Sequence, residues 1–348
     1  MTNKEHELSL LHNIRPSKIF IPVAIGLAVV GYMFYREYDP EIFSRISYSD
    51  ISFFWLFAAF ILMFTRDFGY VVRLKILSCG EMSWKQAIRV IFLWEFTSAV
   101  TPSAVGGTSV ATLYVYKEGI TLGRSTAIVL ATSFLDELYF IIMFPLFFLF
   151  IDPSRLFATG ADAGGTIYNE FFYFAVIGYS LKFAFSMLVA YGLFVNPDGI
   201  KKMIVRIFSI KFLNRWHAAG EKTGDDIVLA SHELRSKPFR FWAKSFLATA
   251  LSWTSRYWVV NCLFLTFFAV KGHFIIFARQ LVMWIMMLVS PTPGGSGFAE
   301  YVFNQYLGEF IPIAGLAIAL AFLWRIISYY LYLAIGAVIF PRWIKEMF

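Results

Sequence analysis

Apolar residues run along this chain in blocks separated by short charged segments, and the block lengths predict the architecture. Blocks at 19–35, 51–72, 125–151, 171–195, 241–270 and 311–340 each suit a bilayer-spanning helix, which needs about 20 residues. Four further blocks, 87–100, 109–116, 277–289 and 298–310, are too short to cross alone. They form two pairs, each interrupted by proline and glycine. The interruptions read Thr101-Pro102-Ser103-Ala104-Val105-Gly106-Gly107-Thr108 and Ser290-Pro291-Thr292-Pro293-Gly294-Gly295-Ser296-Gly297. Proline removes an amide donor and glycine tolerates positive φ, so no continuous helix is expected through either stretch. Broken backbone survives in hydrocarbon only where protein buries it or water reaches it. Each pair is therefore predicted to be a broken helical hairpin that enters the membrane and returns.

The two interruptions are copies of one pattern. Both run Thr-Pro, then Gly-Gly, then a hydroxyl residue (Thr108, Ser296), then alanine three positions on (Ala111, Ala299). Paired interruptions in corresponding halves point to a midplane site between repeats. Charge sets the orientation independently. Arg66, Arg73, Lys75, Lys85 and Arg89 follow the second span, Lys117 and Arg124 follow the first hairpin, and the loop 196–240 carries a further basic cluster, so these segments are expected in the cytoplasm. The Gly-rich, acid-leaning loop 152–169 is expected outside. Span, hairpin, span then runs out-to-in over 51–151 and in-to-out over 241–340. The hairpins enter from opposite leaflets, which is an inverted-topology repeat within a single transmembrane domain, 1–348, with both termini cytoplasmic. The block 19–35 has no small-residue cleavage site after it and is expected to stay as a helix.

Composition sharpens the class. Hydrophobic residues make up 59%, aromatics 20% and charged residues only 15%, where globular domains average about 25% charged. An all-α, polytopic integral membrane protein is expected, with no separate catalytic domain. The net charge of +7 is explained by the basic loops, and no nucleic-acid partner is called for. Cys79 and Cys262 lie far apart and the five histidines form no ligand pair, so neither a disulfide nor a metal is expected. No cofactor is expected, and no phosphate-cradling ATP motif is present. Within 196–240, Ile204, Ile207, Phe208 and Phe212 interleave with cations, which fits either a helix lying on anionic lipid or a solvated loop helix. Trp84, Trp94 and Trp343 suit an interfacial aromatic belt.

The candidate site follows from the interruptions. Ser296 is expected to cap the helix after Gly295, and Thr108 to do the same in the first hairpin. The amides of a first helical turn lack acceptors and carry partial positive charge. Two such ends near the bilayer centre suit an anion such as a lipid phosphate; the alternative is that the glycines only allow close packing. Thr101, Gly106, Gly107, Thr108, Pro293, Gly294, Gly295 and Ser296 are the residues concerned. Glu300 falls in the first turn after Ser296, and Arg325 lies deep in its span. Asp136 and Glu137 lie within theirs. Intramembrane charges are functional candidates by default, but a structural Glu300–Arg325 or Asp136–Arg325 pair would also account for them. Arg73, with Lys75, fits either a phosphate contact at the cytoplasmic face or a topology anchor. No nucleophile–base pair appears at enzyme-like spacing, so no catalytic residue is assigned.

Pro293-Gly294-Gly295-Ser296-Gly297-Phe298-Ala299-Glu300, Leu323-Trp324-Arg325-Ile326-Ile327-Ser328-Tyr329-Tyr330 and Gly336 together resemble the lysylphosphatidylglycerol synthase transmembrane region, or flippase-like, family. The Thr101-Pro102 to Gly107 block and Arg73-Leu74-Lys75 fit it too. The resemblance implies movement of aminoacylated or glycosylated lipids between leaflets. The aminoacyl-transferase domain that follows this region in the synthases is expected to be absent, since the chain stops at Phe348. The expectation is thus an inner-membrane transporter of an anionic or aminoacylated lipid, either a phospholipid or a polyprenyl phosphate. Two alternatives stand beside it: a membrane-embedded lipid-phosphate enzyme, and a partner subunit of a separate lipid-modifying enzyme.

Overall fold

The computed structural model describes residues 52–101, 104–157, 166–209, 217–287, 297–312 and 314–347, with Tyr35 and Gly295. The expected first span at 19–35, Tyr35 apart, lies outside them. Among the described residues every regular element is helical, as the apolar blocks predict. Helices α1 (Phe53–Leu77), α4 (Leu122–Phe148) and α6 (Thr166–Ala190, continued by a π turn Tyr191–Val195) supply membrane-length apolar stretches. So does the run 316–346, made of α12 (Ala314–Arg325), a π segment (Ile326–Tyr330) and α13 (Leu331–Met347). Helix α9 (Phe239–Phe267), with 29 residues, matches them in length.

Helices α1 and α9, each the first of its half, pack antiparallel along their whole lengths. Ser52 N donates to Thr266 O at one end (2.8 Å), Ser252 Oγ donates to Arg66 O in the middle (2.8 Å), and Arg73 reaches Thr249 Oγ1 beyond it (3.2 Å). The small residues Ser245, Ala248, Thr249 and Ser252 of α9 are buried. Small side chains let membrane helices approach closely, which is where dispersion and hydrogen bonds hold them.

The two broken hairpins have the expected form and opposite senses. The first joins α2 (Trp84–Val100) to α3 (Ala104–Lys117). Its base is closed by Gln86 Nε2 donating to Glu118 O (3.1 Å) and by an Arg89–Glu118 ion pair (2.6 Å). The second joins α10 (His273–Met287) to α11 (Phe298–Leu307) and a 3-10 turn (Gly308–Phe310). Its base is closed by Arg279 Nη1 donating to Tyr306 O and by Arg279–Glu309, both at 2.8 Å. One base follows the C-terminus of α1; the other follows the C-terminus of α9, which meets the N-terminus of α1. The bases therefore lie at opposite ends of the α1–α9 pair, and the tips point toward each other.

The structure corrects several local expectations. Helix α3 starts at Ala104, so Gly106 and Gly107 lie inside a helix and Thr108 is not its N-cap. A Cβ on Gly107 would stand 2.0 Å from Ser98 Oγ and 2.9 Å from Ser98 Cα, so this glycine serves the close crossing of α2 and α3. In the second hairpin the N-cap is Gly297, at φ 81, not Ser296. An L side chain there would crowd its own carbonyl, which explains the glycine. The loop 152–169 is not plain: α5 (Pro153–Phe157) buries Leu156 and Phe157 beside α10. The loop 196–240 holds α7 (Pro197–Phe208) and α8 (His217–Ser236). Helix α8 docks on α4 through Ile227, Ala230 and Leu234, and Arg124–Glu233 (2.9 Å) ties its end; α7 leaves Met203 and Ile207 exposed. Trp84 is exposed, as a belt residue would be, but Trp343 is fully buried against Tyr114 and Phe340.

Gly107→Ala tests the helix crossing. Overpacking of this kind costs about 1–3 kcal/mol. The expected outcome is a clear drop in the thermal midpoint of the purified protein. A variant that melts with the wild type would show that α2 and α3 are not in this contact.

Candidate functional site

The hairpin tips, α1, α4, α6, α9 and the π segment before α13 enclose a cavity of about 690 Å³. Ser98, Thr101 and Thr108 face it from the first hairpin, and Met287 and Gly295 from the second. One face of α4, at Thr126, Leu130, Ser133 and Glu137, lines it at helical spacing. Leu181 and Phe185 of α6 line its side and are solvent-exposed.

The cavity is lined by apolar side chains into which charges have been set, each held by another element. Arg73 of α1 donates to Asp136 of α4 through Nη1 (2.5 Å) and Nη2 (3.3 Å). Trp253 Nε1 of α9 donates to the same Asp136 oxygen (2.7 Å). Lys182 of α6 sits 2.6 Å from both oxygens of Glu137, with its Nζ over the Phe140 ring. Arg66, at the centre of α1, is fully buried between Asp67 (2.9 Å) and Glu95 of α2 (2.5 Å). Its guanidinium also lies over the rings of Tyr70 and Tyr332, and Tyr332 donates to Asp67 (2.7 Å). Arg256 of α9 is half-buried between Trp253 and Trp284, 5.5 Å from each ring centre. Arg325 lies over the Tyr329 ring and donates to Glu300 (3.1 Å). The π segment that follows Arg325 brings Ser328 and Tyr329 to the cavity wall; such bulges recur where a helix must re-aim side chains.

Of the residues predicted from the sequence, Thr101, Thr108, Asp136, Gly295, Arg325 and Arg73 all line this one cavity. Gly106 and Gly107 lie in the α3 wall. Glu300 stands behind Arg325: it is fully buried, and Oε2 accepts from Gly297 N (2.7 Å) while Oε1 accepts from Arg325. It fixes the start of α11 and the guanidinium together. Pro293, Gly294 and Ser296 lie outside the described residues. Asp136 pairs with Arg73, and Arg73 is buried within the protein. Arg66, expected in a cytoplasmic flank, is mid-helix because α1 runs on to Leu77 and supplies it with acids.

Glu95, Lys182, Trp253 and Trp284 were not singled out by sequence reasoning, and Trp94, expected in a belt, faces the cavity. A signal for part of this was present. Arg66 and Arg256, Arg89 and Arg279, and Trp94 and Trp284 are each separated by 190 positions, and Glu118 and Glu309 by 191. The same displacement relates the two Thr-Pro pairs, so the repeat extends well beyond the interruptions.

The family described as "Lysylphosphatidylglycerol synthase TM region" matches residues 19–336. A relative from Archaeoglobus fulgidus, described as "UPF0104 membrane protein", is 26% identical over 334 residues, covering 91% of this chain and 94% of the relative.

Glu300→Ala tests the support behind the site. Removing one partner of a buried pair costs about 3–5 kcal/mol. The expected outcome is a loss of that size in detergent-titration unfolding; wild-type stability would show that Arg325 is held by other groups.

Proposed function

Because the chain belongs to the lysylphosphatidylglycerol synthase TM region family, with most of its length matched, we propose that it carries a membrane lipid between leaflets, with the headgroup passing through the cavity. The observation that carries this reading is the convergence of residues from both hairpins, and of charged residues from several helices, on one cavity. A polar headgroup leaving water must exchange its hydration for protein partners, since burial of an unpaired charge costs several kcal/mol. Arg73, Arg325, Asp136, Thr101 and Thr108 supply such partners here. The acyl chains have no need of the protein interior. In this proposal the headgroup enters laterally past the exposed Leu181 and Phe185 while its tails stay in lipid.

In this proposal the end of the molecule carrying Arg124 and α8 faces the cytoplasm of a cell inner membrane, in keeping with its basic loops. The substrate is an anionic or aminoacylated lipid, either a phospholipid or a lipid linked through polyprenyl phosphate, and the protein acts by transport without covalent chemistry. A separate lipid-modifying enzyme would supply an aminoacylated substrate.

Ser133→Trp offers the direct test, because it fills the cavity from the α4 face without removing a charge. Purified protein is reconstituted into liposomes holding a fluorescently labelled lipid, and loss of inner-leaflet label is followed with a membrane-impermeant quencher. Wild-type vesicles are expected to lose protection at least about ten-fold faster than empty ones, a barrier change of about 1.4 kcal/mol, and the tryptophan variant to match the empty vesicles. A wild-type rate equal to that of empty vesicles contradicts the proposal.

A further inference from the structure

The charges around the cavity do not pair off evenly. Among the described residues Arg73 pairs with Asp136, Lys182 with Glu137 and Arg325 with Glu300. Arg66 serves two carboxylates, Asp67 and Glu95, so that cluster keeps one negative charge in excess. Glu95 is the member of it that lines the cavity, with 22% of its side chain exposed. Arg256 also lines the cavity and has no carboxylate within 4.0 Å among the described residues. Its partners are the two indole faces of Trp253 and Trp284.

The halves explain the imbalance. Arg66 and Arg256 hold equivalent places, 190 positions apart. The acids beside Arg66 have no counterparts beside Arg256: the same displacement from Asp67 and Glu95 leads to Tyr257 and Ile285. Among the described residues one half therefore sets two carboxylates against its arginine and the other sets none. Arg256 and Glu95 lie within each other's electrostatic field but do not touch. In a weakly polar interior two such charges would close on each other unless fixed elsewhere. Glu95 is fixed by Arg66, and Arg256 by the tryptophans. The cavity is left with a cationic pole and an anionic pole held apart.

We propose that this site takes a zwitterionic phospholipid headgroup, with its phosphodiester on Arg256 and its ammonium on Glu95. A phosphodiester carries one negative charge and accepts two parallel bonds from a guanidinium. The flanking indoles keep water from that guanidinium and orient its plane, which strengthens the contact. The ammonium would neutralise the surplus of the Arg66 cluster. A headgroup that is only anionic, such as phosphatidylglycerol, satisfies Arg256 but brings no cation to Glu95, which shares Arg66 with Asp67. A phosphomonoester, as in phosphatidic acid or a polyprenyl phosphate, also adds negative charge beside Glu95. The assignment rests on the cavity being a lipid headgroup site, and it selects within that reading.

Native mass spectrometry of the full chain, released from micelles with equimolar phosphatidylethanolamine, phosphatidylglycerol and phosphatidic acid of identical acyl chains, separates the possibilities. The wild type is expected to retain phosphatidylethanolamine at least about ten-fold over either other lipid, a difference of about 1.4 kcal/mol. Arg256→Gln should remove that adduct. Glu95→Gln, which leaves Arg66 paired with Asp67, should turn the preference to phosphatidylglycerol. Arg256→Lys is the second variant should Arg256→Gln not purify folded, and it should keep the zwitterion preference at reduced occupancy. Equal or greater retention of phosphatidylglycerol or phosphatidic acid by the wild type, or no change of preference in Glu95→Gln, overturns the dipolar assignment. An adduct of phosphatidylglycerol that Arg256→Gln abolishes would do so while sparing the lipid-carrier proposal. Adducts of all three lipids that are indifferent to Arg256→Gln and to Ser133→Trp would remove both.

Discussion

A charge placed in hydrocarbon must bring its counter-charge from a neighbouring helix, and that requirement organises this protein. An unpaired arginine or aspartate at the centre of a membrane helix costs about 2.5–3.5 kcal/mol even on the mildest scale. Here four such groups are met by a carboxylate on another element. Arg66 joins α1 to α2, Arg73 joins α1 to α4, Lys182 joins α6 to α4, and Arg325 joins α12 to α11. Buried pairs of this kind contribute little net stability over an apolar substitute, but they are intolerant of mispairing. Their effect is to set which helices meet and at what height. The cavity sits where they converge, because a site that must hold charge and a scaffold that must neutralise charge are built from the same residues.

The large features were legible because they are written in block lengths. Five of the six expected spans correspond to described helices or helix runs, and both interrupted segments are hairpins with opposed bases. Finer features were hidden for physical reasons. Gly107 read as a chain breaker, but glycine also permits close helix crossing, and only the proximity of Ser98 decides between the two. Arg66 read as the start of a basic loop, since hydropathy cannot see that Glu95 and Asp67 would allow the helix to run past it. Lys182 was lost in the apolar block 171–195, where one cation barely changes the average. The displacement of 190 positions would have matched Arg66 with Arg256 and Trp94 with Trp284 without any structure.

The repeat also clarifies the division of labour between the halves. Arg89–Glu118 and Arg279–Glu309 close the two hairpin bases in the same way, so this part of the symmetry is architectural. At the cavity the symmetry is broken: the same arginine is neutralised in one half and left on a pair of indoles in the other. Both hairpins line one cavity, and the residues that differ between the matched positions give it polarity. Membership of the lysylphosphatidylglycerol synthase TM region family places this arrangement among membrane proteins.

The account stands on the two hairpin tips sharing one headgroup site. The most direct measurement is an electron cryomicroscopy density map of the protein in nanodiscs containing native lipid extract. It should show a lipid with its headgroup between Thr108 and Gly295, its phosphate within hydrogen-bond reach of Arg256, and its tails passing out beside Leu181. Hairpin tips that lie outside the membrane, or hairpins that open on the same side, would contradict it.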